Sequence, residues 1–174
     1  MKKIKLRIKK IPEIPPTITK RFKLVRASLN TFHEVIEKGK LLEQYFIDKA
    51  KVHIYELEGI GYYIIEEPEL TKEESELYEL LMDSLYFTVR PVEIENPVEY
   101  VKKHIMTASK ELGIKDMVMR SFDKLMYYIT RDILGYGPLD VLIKDPRIED
   151  ISLEGVNKPV RVFHRDYSYL DWLI

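Results

Sequence analysis

Residues 135 to 155 constrain the fold more tightly than any other stretch, because helix stops, turn formers and apolar residues follow one another there at short, fixed spacing. The run is Gly135-Tyr136-Gly137-Pro138-Leu139-Asp140-Val141-Leu142-Ile143-Lys144-Asp145-Pro146-Arg147-Ile148-Glu149-Asp150-Ile151-Ser152-Leu153-Glu154-Gly155. Upstream, Val118, Phe122, Leu125, Ile129 and Ile133 recur three or four apart, which predicts one amphipathic helix from Met117 to Leu134. Gly135 falls where a left-handed residue would close that helix. Pro138 suits the first turn of a short second helix, since its fixed φ fits and its missing N–H is no loss there. Leu139, Leu142 and Ile143 give that turn an apolar side. Asp145-Pro146 ends it, because a residue before proline is pushed out of the helical region. Ile148, Ile151 and Leu153 then read as a strand, Gly155, Asn157 and Pro159 as a turn, and Val160 to Phe163 as a second strand. The expectation is helix, corner, helical turn, hairpin.

The same block resembles the signature that opens the conserved part of the secretion ATPases, the hexameric motors of type II and type IV secretion, type IV pilus assembly and archaeal filament assembly. The resemblance rests on Gly135, Gly137, Pro138, Leu139, Asp145, Pro146, Ile151 and Gly155, with Leu142, Ile148 and the acidic pair between them. Glu154 stands where that family commonly has a small polar residue. A second stretch, Lys51 to Leu57 and Gly61 to Thr71 with Glu67-Pro68-Glu69-Leu70, is similar to archaeal members. The resemblance implies an N-terminal region followed, from about residue 116, by a helix and the first strands of a mixed α/β sensor-like domain that precedes the motor. It also implies ATP and Mg²⁺ in the parent protein, a homo-hexamer, a membrane platform protein as partner, and a place in the cytoplasm at the inner face of the membrane. The motor's own motif, G-x-x-x-x-G-K-[ST], is absent from these 174 residues. No cofactor and no ATPase activity are therefore expected of this chain by itself.

Elsewhere the pattern predicts an α+β protein built from a helical hairpin and small antiparallel β elements. Residues 1–20 read as a basic arm and proline-rich linker, 21–115 as an N-terminal α+β domain, and 116–174 as the start of the next. Thr31 to Asp48 has helical spacing interrupted by Gly39. Lys51 to Leu57 and Gly61 to Glu66 read as a β-hairpin. Thr71 with Glu74 forms a capping box before the stripe Leu77, Leu80, Leu81 and Leu85. Asn96-Pro97 opens a helix through Val98, Val101, Ile105, Ala108 and Leu112 that Gly113 closes. The helices over 97–112 and 117–134 should pack as a hairpin. Tyr167 to Ile174 reads as an apolar strand, of the kind found inside a longer protein.

Charge is divided along the chain. Residues 1–26 carry ten basic residues against the single acid Glu13, a net of +9, while the remainder carries 18 basic against 28 acidic, a net of −10. Lys3, Lys5, Arg7 and Lys9 alternate with Ile4, Leu6 and Ile8, the period of a strand or extended arm with one cationic face. Such an arm can sit at a sheet edge, dock on an acidic partner or its own body, or touch anionic lipid. Arg161 and Arg165 are further candidates for interaction.

Composition excludes several chemistries. Without cysteine there is no disulfide or thiolate metal site, and the four histidines are far apart in sequence. Ser152 lies outside any G-x-S-x-G setting. Gly135-Tyr136-Gly137 lacks the third glycine of a dinucleotide loop and follows a helix, not a strand. No catalytic residue and no metal ligand is assigned. Three functions stay open at this level. They are the coupling region of a secretion-type ATPase, a stand-alone adaptor at a membrane or protein surface, and a nucleic-acid binder acting through residues 1–26.

Overall fold

A computed structural model describes residues 26–88, 96–155 and 160–173. The fold is α+β, with six helices and one six-stranded, mostly antiparallel sheet. In chain order the elements are α1 (Arg26–Lys38), β1 (Lys40–Ile47), β2 (Ala50–Leu57), β3 (Ile60–Glu66), α2 (Lys72–Thr88) and α3 (Pro97–Glu111). There follow α4 (Lys115–Arg120), α5 (Phe122–Ile133), a 3₁₀ turn (Gly137–Leu139), α6 (Asp140–Lys144), β4 (Ile148–Leu153), β5 (Val160–His164) and β6 (Ser168–Leu173).

The strand order is β1-β2-β3-β6-β5-β4. Two antiparallel meanders, β1–β3 and β4–β6, meet where β3 runs parallel to β6, with Tyr63 opposite Trp172 and Ile64 opposite Leu173. One sheet is thus assembled from both of the stretches, 21–115 and 116–174, that the pattern assigns to successive domains. The β2–β3 turn is Glu58-Gly59, both left-handed at φ 53° and 79°. Paired left-handed residues match the twist of the strands they join.

Both faces of the sheet carry apolar side chains, in keeping with the period of two along each strand. On one face Val52, Ile54, Tyr63, Val162, Leu170 and Trp172 pack with Val141 and Leu142 of α6. On the other, Val35 and Phe32 of α1 cover Tyr62, Ile64 and Leu173. The helices build a separate core from Leu77, Leu81 and Leu85 of α2, Val101 and Ile105 of α3, Val118 of α4, and Leu125 and Ile129 of α5.

Many local expectations stand. Thr71 and Glu74 exchange the reciprocal capping-box bonds at 2.9 and 3.2 Å. The Asn96 side chain accepts the Glu99 N–H at 3.1 Å with Pro97 in the first turn. Gly113 is left-handed, at φ 71°. Asp145 has extended backbone, φ −74° and ψ 112°, as Pro146 requires.

Four readings are corrected. The stretch from Thr31 to Asp48 is not helical throughout: α1 ends at Lys38 and residues 40–47 are β1. Leu42, Tyr45 and Phe46 satisfy helical spacing, but Tyr45, Phe46 and Ile47 are strand formers, and β2 offers them a hydrogen-bonding partner. Met117 to Leu134 is not one helix either, because Ser121, at φ −115° and ψ 20°, separates α4 from α5. Leu80, Val98 and Leu112 leave their apolar stripes for solvent. Finally, Gly135 is not left-handed; Gly137 is, at φ 59°. Gly135 is required for space: a Cβ there would collide with the Asp140 carboxylate and lie 2.8 Å from the Arg131 carbonyl oxygen.

Candidate functional site

Among the described residues, the corner after α5 holds a dense buried polar network. It starts from Asp140, which is buried at the head of α6, accepts the Tyr136 N–H at 3.2 Å and meets Lys144 one turn on at 2.6 Å. This is the carboxylate for which Gly135 makes room. One turn later α6 stops, and Asp145 turns its side chain under the sheet, where only 2 % of the residue is exposed.

Asp145 is the hub of a network. Its Oδ2 accepts the hydroxyls of Tyr45 at 2.5 Å and Tyr63 at 2.7 Å, and its Oδ1 accepts the Arg147 N–H at 2.9 Å. Three donors satisfy a buried carboxylate that would otherwise be costly to leave unpaired. Burial, with Asp145 beside them, pushes both phenols above their ordinary ionisation range, so both stay protonated as donors. His164, fully buried on β5, takes the Asp166 N–H on Nδ1 at 3.1 Å. That acceptor role leaves the proton of the neutral ring on Nε2, 3.2 Å from the Tyr45 oxygen. Burial also lowers the His164 pKa.

A second layer closes the network at the surface. The Arg147 guanidinium lies 4.2 Å over the Tyr45 ring and reaches Glu43 at 2.7 Å. Tyr167 donates to the other Glu43 oxygen at 3.0 Å. The hydrogen bond from Arg147 holds the Glu43 carboxyl below its ordinary range. The corner is therefore tied by side chains to β1 and β3, and Tyr45 carries the network on to His164 of β5.

A separate joint fastens the helices to the sheet. Arg131 of α5 forks onto Asp132 at 2.6 and 3.1 Å and reaches both oxygens of Glu67, just after β3, at 2.8 and 2.6 Å. Tyr127 donates to Glu67 and Tyr128 to the Pro68 carbonyl, each at 2.8 Å. Tyr78 of α2 donates to Asp132. Lys124 bridges Glu74 and the Glu69 carbonyl, both at 3.0 Å.

The hydroxyls and the imidazole are occupied by hydrogen-bond partners. The described residues contain no group of three or more His, Asp or Glu able to hold a metal ion. The two networks join the corner to the sheet and the sheet to α5 by side-chain hydrogen bonds.

Two sequence comparisons bear on what the chain is. It is 35 % identical over 176 residues to the uncharacterized protein MJ1288 of Methanocaldococcus jannaschii, a match covering 94 % of this chain and 68 % of that protein. The chain belongs to the same family as MJ1288. The match takes in nearly the whole chain, so it spans the sequence of both the helical layer and the sheet. A longer protein of the same organism, uncharacterized protein MJ0781, is 28 % identical over 122 residues, 69 % of this chain but only 16 % of MJ0781's own length. No protein-family profile matches the chain.

Of the residues singled out from sequence, Gly135, Gly137, Pro138, Leu139, Asp145 and Pro146 all lie at the corner, and Ile151 packs from β4 against the sheet core. Gly155 ends the described part of the β4–β5 connection, at φ 131°. Arg161 and Arg165 are brought to the outer face of the second meander, not to the corner's interior. Arg161 pairs with Asp171 at 3.1 Å and Glu154 at 3.5 Å, and Arg165 pairs with Glu149 at 3.1 Å. Lys3, Lys5, Arg7 and Lys9 lie outside the described residues. Sequence reasoning missed Glu43, Tyr45, Tyr63, His164, Arg131 and Glu67. Their partners across the fold sit 60 to 124 positions away, and no local pattern announces such pairs.

The networks make stability acid-sensitive in two steps. His164 has a folded pKa below the ordinary 6.5, so the unfolded chain binds a proton that the folded one refuses. Stability is then highest above pH 6.5 and falls as pH drops through it. Glu74, held to about 2 chiefly by hydrogen bonds from Ser121, the Thr71 backbone and Lys124, adds a second loss between its ordinary 4.5 and about 2. Urea unfolding at pH 7.5, 5.5 and 3.5 should give a falling series. His164→Gln should flatten the first interval and leave the second.

Proposed function

We propose that this chain is the N-terminal coupling region of an archaeal-type secretion ATPase, joining an ATP-driven motor to a membrane platform protein or regulator. The observation that supports this is the place of the signature segment. Within residues 135–155, Asp145 is hydrogen-bonded to Tyr45 and Tyr63 of the first meander, while β4 of the same segment is a strand of the second. A displacement applied at that corner moves the sheet as a body, which is what a coupling element requires. ATP and Mg²⁺ belong to the motor domain, and the working assembly is a homo-hexamer at the cytoplasmic face of the membrane. No helix among the described residues is long and apolar enough to cross a membrane, so attachment runs through a partner or through lipid headgroups.

The second reading, a stand-alone adaptor without a motor, is favoured by the size of MJ1288. A matched stretch of 176 residues that makes up 68 % of that protein leaves roughly 80 residues outside it. That is short of the commonest domain size, about 100–150 residues. Expressing the complete gene product that carries this chain separates the readings. The coupling reading expects a hexamer with Mg²⁺-dependent ATP hydrolysis; a product that neither assembles nor turns over ATP leaves the adaptor.

The isolated chain is expected to bind no nucleotide, since it has no glycine-rich loop whose amides could cradle phosphates. Calorimetric titration with a non-hydrolysable ATP analogue should show no saturable heat. Micromolar binding would overturn both readings.

A further inference from the structure

We propose that α2 of one copy of this chain docks antiparallel in the groove between α3 and α4 of a second copy. Lys103, Met106, Thr107 and Lys110 of α3, with Glu111 at its end and Lys115 at the start of α4, line that groove. Among the described residues none of the three lysines has an ion-pair partner. Three cations beside one acid reverse the sign of a chain that carries −10 after residue 26. Met106, between Lys103 and Lys110, is half-buried. The groove thus offers an occupant an apolar side chain with free positive charge around it.

The complement is on the exposed side of α2. Leu77, Leu81 and Leu85 face the helical core, and Glu76, Leu80 and Asp83 are left to solvent. Leu80 is 41 % exposed. Both acids are available. Asp83 has no ion pair among the described residues, and Glu76 meets Lys72 at 3.9 Å with both side chains largely in water.

Spacing carries the fit. Glu76 and Asp83 are seven positions apart, as are Lys103 and Lys110, and seven residues climb about 10.5 Å in any α-helix. Leu80 comes four after Glu76, and Met106 four before Lys110. With the helices antiparallel, Glu76 meets Lys110, Leu80 meets Met106 and Asp83 meets Lys103, all in one register. A parallel arrangement would set Leu80 on the Thr107 hydroxyl. No other helix of the described residues carries two acids seven apart. The groove has no aromatic side chain on which a nucleic-acid base could stack.

The contact goes beyond the coupling reading and does not rest on it, since an adaptor can associate with itself as well. Each copy carries both the groove and the acidic stripe. Made reciprocally the contact gives a pair, and repeated head to tail it gives a ring or a filament.

Charge reversal tests it in the intact chain, at exposed positions outside every core cluster. One variant combines Lys103→Glu with Lys110→Glu, and the other combines Glu76→Lys with Asp83→Lys. Exposed ion pairs are individually weak, so sedimentation should be followed to about 1 mM, the weak end of specific association. The parent chain is expected to self-associate, less so with added salt. Each variant alone should associate about tenfold or more weakly, because like charges then face each other. An equimolar mixture of the two should associate again, since each supplies the charge the other has reversed. A parent chain that stays monomeric over this range overturns the proposal. So do variants that associate as the parent does, and a mixture that stays as weak as its components. Loss of binding to anionic vesicles or to DNA in the lysine variant, with no change in self-association, would give the groove to another occupant and overturn it too.

Discussion

Asp145→Ala is expected to unfold roughly 10 °C below the parent chain in a thermal melt. The substitution removes the acceptor of two buried phenol hydroxyls and of the Arg147 amide, and puts nothing polar in its place. Each buried donor left without a partner costs about 1–3 kcal/mol, and removing one side of a buried charged network about 3–5 kcal/mol. For a chain of this length each kcal/mol moves the midpoint by about 2–4 °C. Asp145→Asn keeps the size and one acceptor oxygen, so its loss should be smaller. A midpoint within about 2 °C for the alanine variant would mean that water serves these groups as well as Asp145 does, and the rigid joint would have no basis.

Gly135→Val should be nearly as damaging, for a reason the sequence pattern misassigns. The pattern ascribes Gly135 to a left-handed helix end, but the left-handed residue is Gly137. At Gly135 a Cβ would strike the Asp140 carboxylate, which caps the Tyr136 amide, and crowd the Arg131 carbonyl. Neither is the loose end of a flexible chain, so relief must come from moving α6 away from α5. Overpacking of this kind costs about 1–3 kcal/mol, and the lost Asp140–Tyr136 bond adds to it. Gly137→Ala meets no close atom and should lose only the left-handed penalty, about 1–2 kcal/mol. Paired melts of Gly135→Ala and Gly137→Ala separate the two causes. If Gly135→Ala proved the milder of the pair, the packing account of that glycine would fail.

Much of the local structure was legible because its causes are local. The Thr71–Glu74 capping box, the Asn96-Pro97 helix start, the Gly113 stop and the Asp145-Pro146 corner each depend on residues within about four positions. The α+β class follows from the same signals, as do the β2–β3 hairpin and the strands after the corner. What failed were readings that rested on residue spacing alone, which records neither strand pairing nor a local backbone break. Leu42, Tyr45 and Phe46 are compatible with a helix until β2 supplies a strand beside them. Val118 and Phe122 keep a helical period across Ser121, where the backbone breaks.

The division is clearest at the corner. From sequence alone came the helix that leads into it, the proline that bends the chain and the charge imbalance between residues 1–26 and the rest. Only the tertiary structure decided that β3 and β6 join two meanders in one sheet, that Asp145 receives Tyr45 and Tyr63 from 100 and 82 positions away, and that Glu67 anchors Arg131 across 64. The physical reason is that backbone preferences and caps are settled by near neighbours. A buried carboxylate, in contrast, can be tolerated only where separate strands bring donors to it, and sequence spacing carries no record of which strands those are.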